Sequence, residues 1–580
     1  MADYPQREGL EVLRSQLDIE RLSFQSHYRD LADYILPRRP RFTMSDVNRG
    51  ERRNQKIIDS TATMAARTLR SGMMAGLTSP ARPWFRLSTP DPDLAEFGAV
   101  KEWLHAVTER MATIFLRSNI YNVLPICYSD IGVFGTHAMI IEEDMDTVIR
   151  AYPFPVYSYY LANDHKLKVN VFMREFRMTV RQIVQAFGTK DGYGKPDWSN
   201  ISIYVKNLYD RGQYEAWVDV VHAIRPNENY DPKKIQAKYK KFSSCYYERG
   251  VSGLTGANYM GYEQDKFLRE SGFDRFPVLA PRWEVTGEDV YGTNCPGMEA
   301  LGDIKALQTM QKRKAQGIEK MINPPMVGPS SLRNSKASIL PGDITYTDER
   351  EGTKGFRPAH EINIRVSELL GDIQDHQQRI KRCFFEDLFL MMSQSDRRQI
   401  TATEIDERKE EKLLALGPVL EQLNQDLNDP LIDNVFDFMN AQGLLPPPPQ
   451  ELHGVDLKVE YISIMAQAQK LIGIGSVDRF SGFIANAAPI MPSILDKVDG
   501  DQLVTHYGDL LSIKPGIIRT EDETNAIRAQ KAQQMQAQQM AQNIPQAASA
   551  VKSLADSNLD GDSALKRILD QGNAGRIVGG

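Results

Sequence analysis

Apolar side chains recur at helical spacing in several parts of the N-terminal half of the chain. The first such stretch, residues 8–36, ends at Pro37 and predicts a single helix. Residues 57–77 predict a second helix that is rich in small side chains, and residues 97–117 predict a third. The small residues of the second helix would allow another helix to pack close to it.

Between residues 138 and 178 the pattern changes to the alternation of half-buried strands. Further strand-like runs follow at 214–225, 241–248 and 277–285, and an extended piece follows Pro83. Residues 1–290 therefore predict a mixed body in which helices and strands form one α+β unit.

Long helices dominate the second half. Residues 297–322 predict a helix of about 26 residues and about 39 Å, which the prolines at 324 and 325 end. A Gly/Pro/Ser-rich segment follows, and residues 362–391 predict a second long helix. After a polar break, residues 401–441 predict a third, and Gly417-Pro418 should kink it.

The C-terminal part is less regular. Four prolines at 446–449 predict a hinge, and residues 455–517 are apolar with helical spacing. Beyond residue 519 the composition changes to Gln, Ala and Met and then to Ser, Asp and Gly. That composition predicts a marginal helix at 521–543 and a largely disordered tail.

Composition excludes several classes of protein. The 580 residues are 41% apolar and carry a formal net charge of −6, so any contact with DNA should be loose or confined to patches. No signal-peptide pattern and no apolar run of membrane-spanning length occur, which predicts no membrane contact. The four cysteines show no CxxC spacing, so no zinc or redox motif is expected and a reducing cytoplasm fits.

The motifs of common enzymes are missing from the sequence. It holds no GxxxxGK[ST], HExxH or GxSxG motif, and Gly473-Ile474-Gly475 lacks the third glycine of a dinucleotide loop. The segment from Asp556 begins like a calcium loop, but Arg567 stands where the bidentate carboxylate is needed. The carboxylates at 404–411 alternate with basic residues at helical spacing, as on a solvated helix face. We expect no enzyme, cofactor or metal site.

Several short motifs resemble the phage head-to-tail connecting protein family, the portal proteins of short-tailed double-stranded DNA phages. They are residues 58–62 (IDSTA), 69–80 (LRSGMMAGLTSP), 83–85 (PWF), 134–136 (FGT) and 291–292 (YG). The order of parts agrees as well: a mixed body, a long helix, a Pro/Gly-rich module, a second long helix, a polar loop and a kinked helix. The resemblance covers about residues 8–515.

The resemblance implies an α+β portal fold that forms rings, with a mixed wing domain, long stem helices around an α/β clip, and a helical crown. The implied parts are the wing (1–295), the first stem helix (296–323), the clip (324–361), the second stem helix (362–391), the tunnel loop (392–400), a kinked wing helix (401–450), the crown (451–518), and a C-terminal helix and partly disordered tail (519–580).

By the same resemblance, the chain is expected to form a homo-dodecamer at one capsid vertex of the virion, assembled in the host bacterial cytoplasm. DNA would pass through it during packaging and ejection without sequence-specific binding. Expected partners are the terminase large subunit, a tail adaptor protein, and the major capsid and scaffolding proteins. The alternative is another ring-forming tail or adaptor protein or a scaffold component, also without enzymatic activity.

Two groups of residues receive roles from the resemblance. The tunnel loop, the narrowest point of the channel, would comprise Ser393, Gln394, Ser395, Asp396, Arg397, Arg398 and Gln399. The clip surface that meets the motor and later the adaptor would comprise Arg333, Lys336, Asp343, Asp348, Glu349 and Arg350. For Arg397 and Arg398 an ordinary turn between two helices remains the alternative.

Overall fold

The structure, a computed structural model, combines helices with antiparallel sheets, as the α+β prediction requires. It describes residues 6–46, 50–91, 94–95, 97–188, 194–250, 267–334, 337–338, 343–346, 355–359, 366–394, 416–452, 454, 457–462, 480–487, 489, 491, 498–504, 524 and 526–535.

The described helices fall into an N-terminal group and a long C-terminal group. The helices whose two ends are given are α1 (Gln6–Leu22), α2 (Gln25–Tyr34), α3 (Thr61–Leu77), α4 (Gly98–Arg117), α5 (Ile120–Phe134), α6 (Val180–Phe187), α7 (Ile203–Asp210), α8 (Leu301–Ile322), α9 (Val366–Cys383), α10 (Glu386–Gln394) and α11 (Asp429–Ala441). Residues 416–423, 480–487, 500–504 and 526–535 are helical as well. Shorter helical turns are Ala237–Tyr239, Pro296–Glu299, Ser330–Asn334 and Gln450–Leu452, and a π-helical turn, Asn424–Asn428, precedes α11.

The described strands pair in antiparallel fashion in four sheets. They are β1 (Phe85–Ser88), β2 (Met139–Asp144), β3 (Val148–Pro153), β4 (Tyr159–Asn163), β5 (Val169–Thr179), β6 (Trp217–Pro226), β7 (Phe242–Gly250), β8 (Arg269–Phe273), β9 (Val278–Leu279), β10 (Met326–Val327), β11 (Arg357–Pro358) and β12 (Lys458–Tyr461). The sheet orders are β4-β5-β6-β7-β8, β3-β2-β9, β1-β12 and β10-β11.

The five-stranded sheet is covered on both faces. Leu10 and Leu17 of α1 pack with buried side chains of one face, among them Tyr247. Helices α6 and α7 cover the other face through an apolar cluster that includes Val184 and Val205. Burial on both sides agrees with β6, where the seven residues 218–224 are all buried.

The main core joins the N-terminal helices to the long C-terminal ones. It contains buried residues of α2 to α5 together with buried residues of α8 to α11. Leu69 of α3 and Leu307 of α8 belong to it, although they are far apart in the sequence. The long C-terminal helices therefore pack into the main core of the body.

Most of the predicted elements are confirmed, with four corrections. The predicted helix over 8–36 is two helices, and Ser23 Oγ bonds back to the carbonyl of Glu20 at the break. The predicted helix over 362–391 is interrupted at Phe385, whose φ is 54°. The prediction of helix from 455 is wrong at 458–461, which form strand β12 beside β1. Only two residues of the strand-like run 277–285 form a strand.

Several elements were not predicted at all. Helix α5 has an almost continuously apolar sequence with a proline inside it, so no polar face marks its period. The short helices α6 and α7 and the strand β8 were also missed. Of the predicted marginal helix at 521–543, residues 526–535 are helical. The predicted kink at Gly417-Pro418 stays a prediction, because residues 401–415 lie outside the described part.

Candidate functional site: the two stem helices and their anchorage

Helices α8 and α9 are joined by a connection that returns on itself. Met326 pairs with Pro358 and Val327 with Arg357 in a short antiparallel ladder. The 22 residues of α8 span about 33 Å. We call α8 and α9 the stem helices.

Burial along α8 changes from one end to the other. Ile304 and Leu307, near its start, are fully buried in the main core. Near its end the apolar side chains are open to solvent: Ile318 is 38% exposed, Met321 45% and Ile322 79%. The far end of the stem therefore shows apolar surface that this single chain does not cover.

Asp59 holds both stem helices to the body. One carboxylate oxygen, Oδ2, accepts hydrogen bonds from Gln311 of α8 at 2.9 Å and from Gln377 of α9 at 2.8 Å. The other, Oδ1, accepts from the backbone N–H of Thr61 at 2.8 Å, at the start of α3. One side chain thus connects three helices.

Gln308 completes this connection from the stem side. Its Oε1 accepts the backbone N–H groups of Ile58 and Asp59, at 2.7 and 2.8 Å, and its Nε2 donates to the Asp59 carbonyl at 2.8 Å. The side chain is buried, and both the oxygen and the nitrogen of its amide have hydrogen-bond partners in the backbone. We call Asp59, Gln308, Gln311 and Gln377 the stem clasp.

The charge of Asp59 is stabilised where it lies. Burial alone would raise the pKa of this carboxyl group. The hydrogen bonds from Thr61, Gln377 and Gln311 outweigh burial, so the pKa of Asp59 is lowered from its usual value of 3.8. The clasp is therefore built around the ionised carboxylate.

Polar side-chain contacts also surround the start of α8. Nδ1 of His376 in α9 lies 2.8 Å from Asp303 of α8 and links the two stem helices directly. Lys305 of α8 pairs with Asp30 of α2 at 2.6 Å. These contacts attach the start of α8 to α9 and to α2.

The small residues of the 69–80 motif are explained by close helix packing. A Cβ added at Gly72 would lie 2.1 Å from the ring of Phe389 in α10. A Cβ added at Gly132 of α5 would lie 2.1 Å from Leu69. Helix α3 is thus in close contact with α5 and α10, and Gly72 leaves the space that the Phe389 side chain occupies.

The FGT and YG motifs meet each other where the body leads into α8. Gly135 has a φ of 78°, and a Cβ there would lie 2.4 Å from the carbonyl oxygen of Gly292. Thr136 Oγ1 accepts the N–H of Gly292 at 2.7 Å, and Cys295 Sγ donates to the Val133 carbonyl at 3.2 Å. The two motifs serve as a structural joint rather than as a site of chemistry.

A buried charged group stabilises the same joint. The Asp130 carboxylate of α5 accepts a hydrogen bond from Arg39 Nε at 2.7 Å and lies 2.8 Å from His137 Nδ1. Burial would raise the pKa of Asp130, but the charge and hydrogen bonds of Arg39, with His137, lower it. Burial lowers the pKa of His137, so the imidazole is neutral there.

The predicted clip and loop residues are described only in part. Arg333 lies on the 3₁₀ turn Ser330–Asn334 and Asp343 in a segment without regular secondary structure, and both are exposed. Ser393 and Gln394 are the last two residues of α10, because that helix continues past the predicted break. Outside the described residues lie Lys336, Asp348, Glu349, Arg350, Ser395, Asp396, Arg397, Arg398 and Gln399.

The stem clasp is not evident from the sequence. The IDSTA motif contains Asp59, but nothing local shows what it contacts. A signal was present in α8, where Gln308 and Gln311 share the face of the buried Ile304 and Leu307. Polar amides on an apolar face indicate a specific partner.

No group of three or more His, Cys, Asp or Glu side chains in the described part of the chain is arranged to hold a metal ion. Among the helices described, none is both long enough and apolar enough to cross a membrane.

The stem helices, their connection and their anchorage to an α+β body define a structural connector. The chain belongs to the bacteriophage head to tail connecting protein family, whose model matches residues 7–518. It is similar to the portal protein of Salmonella phage epsilon15, with 48% identity over 569 residues, 98% of this chain and 99% of that protein. It is also similar to the probable portal protein of Bordetella phage BPP-1, with 44% identity over 565 residues, 97% and 98% of the two chains.

Membership of this family settles the class of function. The predicted resemblance is confirmed, and the chain is a portal, or head-to-tail connector, of a bacteriophage. Such proteins are structural parts of the virion and not enzymes.

Proposed function

We propose that twelve copies of this chain form a ring at one capsid vertex, through which DNA enters during packaging and leaves during ejection. The observation that carries the proposal is the stem. It is held to the body by the stem clasp at one end, and its far end leaves Ile318, Met321 and Ile322 exposed. Apolar surface of this kind is typical of an interface between subunits.

Ring closure requires each copy to contact the next through two different surfaces. Two stem helices of different sequence provide such a pair of surfaces. Twelve copies with a formal charge of −6 give −72 for the ring. A tube with this net charge repels the phosphate backbone overall, so DNA would slide rather than bind tightly.

The clip would dock the terminase large subunit during packaging and the tail adaptor protein afterwards. Its exposed Arg333 and Asp343 suit polar contacts that can be exchanged between two partners. The major capsid and scaffolding proteins would surround the wing and crown. Arg397 and Arg398 would contact DNA phosphates at the tunnel loop without reading base sequence.

The mass and shape of the purified protein test this proposal. We expect a species near twelve times 65.6 kDa by native mass spectrometry, and rings with a central hole in negatively stained images. A chain that stays monomeric at micromolar concentration, at low and at high salt, would refute the ring.

A further inference from the structure

The two stem helices carry opposite charges beyond the Asp303–His376 contact. Residues 312–320 of α8 contain four basic residues and one acidic residue. Residues 368–375 of α9 contain three acidic residues and no basic one. Both segments lie beyond that contact, towards the end of α8 and the start of α9, although Ile373 still reaches the main core.

The basic residues lie mainly on the side of α8 that faces away from the core. Arg313 follows the buried Ile304 by nine residues, a spacing that places it on the opposite side of the helix. Lys320 follows Arg313 by seven residues and shares its direction. With the exposed Lys312 they form what we call the basic face: Lys312, Arg313 and Lys320.

The acidic residues of α9 also share one direction. Glu368 lies five residues before the buried Ile373, and Asp375 lies two residues after it. Both spacings place the side chain on the side of α9 opposite to Ile373. Asp372 follows Glu368 by four residues and is exposed beside it. We call Glu368, Asp372 and Asp375 the acidic face.

Over the residues that the structure describes, no ion pair joins the basic face to the acidic face within one chain, although the exposed Glu368 has a contact of its own. Over the part of the chain that the structure describes, none of the three basic-face side chains forms an ion pair, and neither does Asp372. Asp375 pairs with Arg379 of its own helix, where both side chains are 56% exposed. Such an exposed pair is weak and can exchange partners.

We propose that the basic face of one copy docks on the acidic face of the next copy around the ring. The inference rests on the proposed ring and states which surfaces meet in it. A ring needs two different, complementary patches on every subunit, and these faces differ in sign while lying on adjacent helices. Duplex DNA is a less suitable partner, because the acidic face on the same hairpin would repel it.

Charge reversal and charge exchange test the docking. The first variant is Arg313→Glu with Lys320→Glu, and the second is Glu368→Lys with Asp372→Lys. The readout is the protein concentration at which half of the chains are in rings. Each variant should raise this concentration about tenfold, because the loss of two exposed charge pairs of usual strength weakens the contact by about that factor. The combination of all four changes restores opposite charges and should bring the value back towards wild type.

A matched control carries the same charge change elsewhere. Lys206→Glu with Arg211→Glu reverses two exposed charges of the α7 region and should leave ring assembly unchanged. Salt offers a test without substitutions: the half-assembly concentration of the wild type should rise with ionic strength, since exposed charge pairs are screened.

The outcomes separate this inference from the proposed ring. If the wild type forms no ring, both fail. If it forms rings, the inference is overturned when the charge-reversed variants assemble like wild type, or when the four-fold exchange does not recover. A basic-face variant with normal rings but reduced DNA content per head would overturn it in another way, because the basic face would then meet DNA.

Discussion

Replacing Asp59 by alanine is the most informative single change in the stem clasp. It removes the acceptor for Gln311, for Gln377, and for both the N–H and the hydroxyl of Thr61. A hydrogen bond to a charged group contributes about 1.5–3 kcal/mol net. Because Asp59 is half-buried, water can replace part of what is lost. We expect a destabilisation of about 3 kcal/mol in total, smaller than four such bonds would suggest.

The conservative change Asp59→Asn separates charge from hydrogen bonding. Asparagine keeps the Oδ1 contact with Thr61, and its Nδ2 can donate to both glutamines once their amide groups rotate. Only the charge-assisted part is lost, so we expect a cost of about 1 kcal/mol. The order of stability should be wild type, then the Asn variant, then the Ala variant.

The assay combines thermal denaturation with hydrogen exchange. Melting is compared at one fixed protein concentration, since assembly shifts the apparent stability. Amide exchange over residues 301–322 should accelerate in the Ala variant, because the root of α8 loses its attachment to the body. A loss below about 0.5 kcal/mol, with unchanged exchange in α8, would refute the role assigned to Asp59.

The same carboxylate predicts the pH dependence of the clasp. The pKa of Asp59 in the folded chain lies below its usual value of 3.8. Its contribution to stability is therefore complete above that value and is lost as the pH falls through the lowered pKa. Between pH 7 and pH 3 the stability difference between the wild type and the Ala variant should shrink towards the acid end. A difference that stays constant over this range would contradict the ionised clasp.

Two further changes test the joint and the tunnel loop. Gly135 has a φ of 78°, and the Cβ that Gly135→Ala adds would lie 2.4 Å from the Gly292 carbonyl oxygen. Gly194 has the same φ, but the Cβ that Gly194→Ala adds would meet open space. The first should cost more than 3 kcal/mol and the second about 1 kcal/mol in denaturant unfolding, and equal costs would show that the close approach does not matter. Arg397→Glu with Arg398→Glu should leave rings intact but reduce the DNA packaged or retained per head; normal DNA content would show that these arginines do not hold DNA, and loss of rings would place them in the subunit interface.

The sequence determined the features that depend on neighbours along the chain. Helical spacing and the prolines after it predicted where α8 ends, and alternation predicted β2 to β7. The short motifs indicated the family. Two of their glycines have a structural reason: Gly72 allows the close approach of Phe389 in α10, and Gly135 allows the close approach of the Gly292 carbonyl. The local period failed for α5, whose sequence is apolar on every side.

Only the tertiary structure decided which distant residues meet. Asp59 contacts Gln311 and Gln377 across 252 and 318 positions of sequence. Strand β12, predicted as helix, pairs with β1, and Arg86 bonds Glu460 across 374 positions. A sequence pattern indicates whether a side chain will be buried, but not which residues will contact it. The partner of a buried polar group is fixed by the packing of the whole chain, and burial without a partner costs about 1–3 kcal/mol.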